Sequence, residues 1–399
     1  MRAKDVQEFA AVTGHNLGSL GNSGAHPQNC DRDIFNRMKK LAPDLELEPA
    51  DVDLLFFHRD GSMGGSFHKF PIFYPHGLIW CLFAKRQHTF RSVFFQSEDK
   101  LKEYWAKRSS EEWFREHPAR NHVLRNPAGW APVRIHGDDA NVKNNVSGLL
   151  LSISSPLAWM MTSLLSVFPL FFLISTHLVP GELERLYSHL AWSIDCLLTG
   201  FFPSTDIDGQ PFPENSFRGR MAGKTIAGGL RFLVSEIVGD WKYLKEAFHL
   251  SQSYAHNLIC LVCNATKKVG PMCYSNVNDD ADYRNSPRSH MDYMMEFLQN
   301  GLEVPRMASF IGFHMRMIRF DFMHTFLLGT WQFSLSSAFI FLLERDFFGK
   351  FWGNTVLRHS LQLRAAWHSF KKFNKALMLT CVPSANFLPQ LRAKSKSTF

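Results

Sequence analysis

The residues of this chain whose types and spacing can do chemistry are few. Asp138 and Asp139 follow an apolar-alternating run in "VRIHGDDANV", residues 133–142, and Asp240 closes a second run, "GGLRFLVSEIVGD". Like charges at the ends of neighbouring strands repel one another unless a cation lies between them. Hard carboxylate oxygens suit Mg²⁺ or Mn²⁺, and two such ions about 3.5–4 Å apart can clamp the attacking and leaving oxygens of a phosphoryl transfer. The competing reading is that Asp beside Gly is an ordinary turn residue.

Cys260 and Cys263 in "HNLICLVCNATKK" have the C-x-x-C spacing of half a tetrahedral zinc site. Cys273, His256, His314 and His324 are candidates for the other half. The bland alternative is two buried thiols. Asp321 and His324 in "RFDFMHTFLLG" would share one face of a helix, where a local Asp–His hydrogen bond is the simpler account.

The elements that must position these groups are legible as hydrophobic pattern. "PVRIHGDD", "VSGLLLSIS" and "LFFLIST" read as three strands, the first ending in the paired aspartates. "PGELERLYSHLAWSIDCLLTGFF" has leucines and isoleucine at helical spacing with Pro180 near its start. "GGLRFLVSEIVGD" is a fourth strand and "WKYLKEAFHLSQSY" opens a further helix. "SEDKLKEYWAKRSSEEWFREH" is a helix with Ser97 as its cap. "DLLFFHRD" and "GLIWCLFAKR" are strands or buried helix segments.

The order strand, strand, strand, helix, strand defines a mixed α/β (α+β) chain. In a ribonuclease-H-like sheet the first three strands form an antiparallel meander and the fourth lies beside the first. Asp138 and Asp240 would then meet. The expected division is an N-terminal region 1–130 of unassigned fold, a core over 131–250, a Cys/His-containing insertion over 251–335 and a basic helical segment over 336–399.

In this order "HGDDA", "VGDWKYLKEAF", "ICLVC" and "DFMHTFLLG" resemble the catalytic core of DDE transposases of the CACTA (En/Spm-like) type, over about residues 130–335. The resemblance implies an RNase-H-like mixed sheet flanked by helices, with a helical, zinc-type insertion after the fourth strand. It implies Asp138 and Asp240 as catalytic carboxylates holding Mg or Mn, and Cys260, Cys263 and His324 as a zinc set. DNA would be the substrate, the nucleus the setting, and a homo-oligomer the assembly. One departure matters: the family needs a third acid beyond the histidine motif, and here Glu344 in "FLLERDFFG" is the nearest candidate, in an apolar helix end. The chain then reads as truncated before that acid.

Bulk properties fit this picture. The 399 residues carry 44 Lys+Arg against 36 Asp+Glu, a net charge of +8, and a basic excess favours polyanionic partners. A 45% hydrophobic fraction and 37 Phe supply an aromatic-rich core. Seven scattered cysteines point to a reducing compartment rather than a disulfide framework. The N-terminus shows no apolar signal segment. There is no P-loop, dinucleotide fingerprint or H-E-x-x-H.

Two alternatives stay open. One is a non-catalytic DNA-binding remnant, using "RHSLQLRAAWHSFKKFNKAL", where Leu361, Ala365 and Phe370 would face a core. The other is a membrane protein built on Val146–Thr176, which contains no charged residue. Pro156 and Pro169 and the frequent Ser and Thr favour two buried strands there instead.

Overall fold

The long apolar runs become strands because each buries one or both faces. In the computed structural model the described residues are 47, 49–58, 64–143, 146–158, 166–174, 177–252, 256–321 and 331–376. They fall into two units, Met1–Arg319 and Phe320–Phe399.

In the first unit a hairpin of β1 (Ala50–Phe57) and β2 (Gly65–Ile72) precedes α1 (Pro75–Lys85), α2 (Glu98–Arg108), α3 (Glu112–Glu116) and α4 (Arg120–Arg125). Ser97 caps α2, its hydroxyl accepting from Lys100 N–H at 3.2 Å. Then come β3 (Trp130–Lys143), β4 (Val146–Ser154), β5 (Phe168–Ile174), α5 (Glu182–Thr199), β6 (Arg231–Gly239), α6 (Trp241–Ala247), α7 (His290–Asn300) and β7 (Ile318–Phe320). The five strands form one mixed sheet in the order β5-β4-β3-β6-β7. β3, β4 and β5 are antiparallel neighbours, and β6 runs parallel to β3. This is the expected meander with the fourth strand beside the first. One contiguous core runs from Ala50 to Ile318, so the expected boundaries at 131 and 251 fall inside this unit.

Side chains alternate across a strand, and that gives the sheet two distinct faces. Ala131, Val133, Ile135, Gly137 and Asp139 share the face covered by α5 and α6. Arg134, His136 and Asp138 share the opposite face, covered by α2. The β3–β6 register shifts between Val133 and Arg134: Val133 pairs with Val234 but Arg134 with Glu236, leaving Ser235 as an extra residue in β6. The Ser235 hydroxyl lies 2.8 Å from Tyr104 Oη, which donates to it, and donates to Val133 O at 3.3 Å.

One expectation needs correction. β3 does not stop at the aspartates: its pairing with β4 continues through Lys143↔Val146, whereas its pairing with β6 ends at Gly137↔Gly239. Asp138 and Asp139 are therefore interior to one ladder and just past the end of the other. Of the two readings left open for "GLIWCLFAKR", the buried helix is the one found, as α1. Over Val146–Thr176 the reading of two buried strands holds. Val146–Thr176 supplies two neighbouring strands, with Leu149, Leu151, Ile153, Phe171 and Leu173 buried, and no helix among the described residues is long and apolar enough to cross a membrane.

The second unit contains α8 (Trp331–Glu344) and α9 (Thr355–Ala376). The buried Gln362 side chain ties them, donating to Leu343 O at 2.8 Å and Asp346 Oδ1 at 2.7 Å. Phe370, expected to face a core, is exposed.

Candidate functional site

The site lies where β3 and β6 present their carboxyl ends side by side. Gly137 and Gly239 face each other across the ladder, and the Tyr243 ring from α6 lies on both. A Cβ at either glycine would be 2.4 Å from ring atoms of Tyr243. Each Gly-Asp pair is thus a strand glycine admitting a ring, followed by an acid, rather than a turn. Asp240 caps α6: its Oδ1 accepts from Tyr243 N–H at 2.7 Å. That bond holds the carboxylate at the helix start and the ring over the glycines.

Of the two paired aspartates it is Asp139 that shares the α6 face. Its side chain is only 3% exposed, and its Oδ1 lies 2.9 Å from the ammonium of Lys242. The same ammonium donates to Ser147 Oγ at 3.2 Å. Asp138 alternates to the opposite face. Partial burial pulls the Lys242 pKa down, but the hydrogen bond and charge of Asp139, with Glu246 and Asp240 beyond, more than reverse this and leave it above the ordinary lysine value. Glu246 moves up: burial raises its pKa first, the charges of Asp139 and Asp240 add, and Lys242 opposes. Burial pushes the Tyr187 phenol well up, with Tyr243, Glu246 and Asp139 among the groups that add to it. Asp139, Asp240, Glu246, Lys242 and the buried Tyr187 and Tyr243 therefore influence one another by charge.

Oxygen donors from Asp139, Asp240 and Glu246 have the chemistry for a hard divalent cation. The arrangement does not fit one as it stands, because the position beside Asp139 is already taken by the Lys242 ammonium.

On the opposite face charge is closed on itself. Arg134 approaches Glu236 Oε2 through Nε at 2.9 Å and Nη2 at 2.7 Å, and Arg108 reaches Glu236 Oε1 at 2.9 Å. Arg108 also pairs with Glu111, which accepts from Arg319 at 2.6 Å.

The cysteine pair lies in an irregular stretch between α6 and α7. Val262 N–H donates to Cys260 Sγ at 3.4 Å, and Ala265 N–H donates to Cys263. Amide donors at both sulfurs suit thiolates that bind a metal. Burial nevertheless leaves the Cys263 thiol above its ordinary value. Among the described residues no third donor joins the pair in a close group. His324 lies outside the described residues. Glu344 is exposed at the end of α8, in the second unit.

A further cluster was missed in the sequence. Ligand atoms of Glu112, Glu116 and His314 lie within 4.8 Å of one another. The i, i+4 glutamates of "SEEWFREH" were a visible signal; His314 is a candidate ligand by sequence, but for the cysteine pair rather than for these glutamates. His314 is 3% exposed, with Nε2 3.2 Å from Glu116 and 3.8 Å from Glu112. Its Nδ1 accepts Arg316 N–H at 3.0 Å. The neutral ring then carries its proton on Nε2, which lies near the glutamates without meeting hydrogen-bond geometry to either. A metal-bound Nε2 requires the proton on Nδ1 instead, where a ligating histidine ordinarily donates. Burial lowers the His314 pKa, and the two glutamates only partly restore it. The cluster brings α3 and the segment before β7 together by charge, and its histidine tautomer does not suit a metal.

A cleft of about 540 Å³, lined by Phe83, Phe90, Arg91, Phe95 and Gly229, opens beside the amino ends of β3 and β6. That is the far end of these strands from Asp139. Comparison with family models, curated proteins and solved structures found no match.

Proposed function

We propose that the first unit is an RNase-H-like core descended from a DDE transposase of the CACTA type, and that the chain binds DNA. The observation supporting this is the sheet itself. Three antiparallel strands and a parallel fourth put Asp139 and Asp240 just past the point where the β3–β6 ladder ends. β3 leads away to β4 on one side and β6 toward β7 on the other. Such a switch point is where open mixed sheets bind ligands. The net charge of +8 favours a polyanion there.

On this reading Asp240 is the second acid of the ancestral pair, and the first is read as Asp139 rather than Asp138, since Asp139 faces Asp240's helix. Magnesium or manganese would belong to intact relatives, where it activates a water or a 3′-hydroxyl toward a phosphodiester. Lys242 neutralises Asp139, so the activity proposed for this chain is binding without cleavage. Cys260 and Cys263, with amide donors on both sulfurs, would hold zinc together with His324. A nuclear setting and a homo-oligomer belong to the same proposal.

The second unit supplies a phosphate-facing surface. Arg364, His368, Lys371 and Lys372 are exposed on α9, and Lys371 lies 5.9 Å from the Trp367 ring, which stacks on Phe370. Aromatic and basic side chains together suit a strand's bases and phosphates.

The test is fluorescence anisotropy with labelled DNA at rising salt. Binding should weaken linearly on logarithmic axes, and each alanine substitution at Arg364, Lys371 or Lys372 should reduce the slope by about 0.9. Binding insensitive to salt would overturn the proposal. Supercoiled DNA with Mn²⁺ should show the same background nicking with the wild type and Asp240→Asn.

A further inference from the structure

The cleft at the amino ends of β3 and β6 has the size and the mixed walls of a small-molecule site. Its volume of about 540 Å³ falls inside the roughly 300–1,000 Å³ that such sites occupy. Phe83 near the end of α1, with Phe90 and Phe95 in the helical segments Gln87–Phe90 and Arg91–Phe95, supplies aromatic rings. The short stretches leading into β3 and into β6 supply mostly backbone. Because the two strands run parallel, both stretches arrive at the same end of the sheet.

Glycine shapes those stretches. A Cβ at Gly129 would come 2.5 Å from Asn126 Nδ2, so the Asn126 amide rests on Gly129. A Cβ at Gly228 would come 2.9 Å from Phe83 Cζ, so that ring rests on Gly228. Gly229 has no such neighbour, and at a φ of +94° a side chain there would be strained. Bare backbone therefore forms the wall at 228–229, and neither N–H has a hydrogen-bond partner among the described residues. Arg91 lines the same cleft. Unlike Arg108, Arg134 and Arg319 it is exposed and has no ion pair among the described residues. A guanidinium and backbone N–H groups are what recognises a phosphate. Gln87 and Asn126 add side-chain amides, which both donate and accept.

We infer that this cleft binds a nucleotide through a single phosphate, with the base against the phenylalanine rings, its edge at the Gln87 and Asn126 amides and the phosphate at Arg91. Each part of the lining then has a use. A hydrocarbon chain would cover Arg91 and the amides without pairing them, which is costly. Inorganic phosphate would leave the aromatic wall bare. Glu98, a carboxylate on the same lining, repels further phosphates, so one is favoured over three. A free nucleotide and a residue of a single strand offer the same ring and phosphate, and aromatic stacking tolerates any base. The inference goes beyond the DNA-binding reading, since it uses none of the residues assigned to that reading.

The experiment is calorimetric titration of the full chain with AMP, GMP, CMP and dTMP, with the matching nucleosides, with inorganic phosphate and with ATP. The best-bound monophosphate should bind at least about tenfold more tightly than its nucleoside or than phosphate, and ATP no more tightly than AMP. Arg91→Gln, at an exposed position, should weaken the monophosphate about tenfold and leave the nucleoside unchanged. Phe95→Leu should weaken both. A single-stranded oligonucleotide that displaces the monophosphate identifies a strand residue as the occupant; one that leaves it bound identifies the free nucleotide. Monophosphates bound no better than nucleosides or phosphate overturn the inference, and that comparison needs no variant. So does ATP bound ten times more tightly than AMP, or an Arg91→Gln chain of unchanged melting temperature that binds like the wild type. A chain that takes no nucleotide but binds DNA with the expected salt dependence loses this inference alone. One that takes the nucleotide but never binds DNA loses the DNA-binding reading alone.

Discussion

The two faces of the five-stranded sheet handle buried charge in opposite ways. On the α2 face, Glu236 is shared by Arg108 and Arg134, and Arg108 and Arg319 converge on Glu111. Three guanidiniums share two carboxylates there in direct ion pairs, and the forked guanidinium geometry fixes them. On the α6 face, Asp139 pairs with Lys242, Asp240 and Glu246 act on that lysine by charge alone, and the Tyr243 hydroxyl goes without a partner among the described residues. The first arrangement is what a fold uses to lock elements together. The second is poorly matched for stability alone, and mismatched electrostatics is a mark of functional surfaces. Both occur within one strand pair, which separates the structural charges from the others without any appeal to motif.

The comparison is broken most severely by filling the glycine floor. Gly137→Ala or Gly239→Ala would push a methyl into the Tyr243 ring, and we expect a loss of about 3 kcal/mol, the upper end of overpacking costs, measured by urea denaturation. Unchanged stability would mean the ring does not lie there. Next in size is an acid-to-amide change made on each face. Glu236→Gln strips two arginines of their shared partner and should cost about 2–3 kcal/mol. Asp139→Asn frees a half-exposed lysine that stays solvated, so its cost should stay below about 1 kcal/mol. Equal costs would erase the distinction between the faces.

The smallest effect is pH-dependent. For Glu111, burial raises the pKa, but hydrogen bonds from Arg108 and Trp113 and the charges of Arg108 and Arg319 outweigh it and leave it below the ordinary 4.5. Its contribution is present above that value and is lost as pH falls through the folded pKa. For Glu246, burial and neighbouring acids raise the pKa above 4.5. Its contribution is present below 4.5 and lost as pH rises through the folded pKa. Glu111→Gln should therefore lower the melting temperature at about pH 7 and approach the wild type under acid. Glu246→Gln should raise it slightly at about pH 7 and converge with the wild type below pH 4.5. Parallel curves for the two variants would contradict the assignment.

Much of the frame could be read from residue patterns. Leu149, Leu151 and Ile153 in β4, the leucine stripe of α5 and the run Arg231–Gly239 each carry a local periodicity strong enough to define an element. What escaped were features set by partners distant in sequence. β3 continues past Asp139 because β4 keeps pairing with it, which no local signal announces. Which aspartate faces α6 depends on strand phase, and the choice between Asp138 and Asp139 is one residue wide. The pattern of "WKYLKEAFHLSQSY" would carry α6 further, but the helix ends at Ala247, and His249 takes a positive φ of 46°. The reason for glycine before each acid became visible only with Tyr243 seated on both.

The extra residue at Ser235 sets a rule for length changes in β6. Val234 and Glu236 already pair with consecutive residues of β3. Excising Ser235 would leave both ends of the strand in frame, at the cost of the hydroxyl link between Tyr104 and Val133. Excising any one residue between Glu236 and Gly239 would instead turn the strand's tail over. A side chain would then replace the glycine under the aromatic ring, and the helix carrying Lys242 would start from the wrong side of the sheet. Deletions a few positions apart in one strand thus have unequal outcomes: the serine can be dropped with the acidic end intact, and nothing downstream of it can.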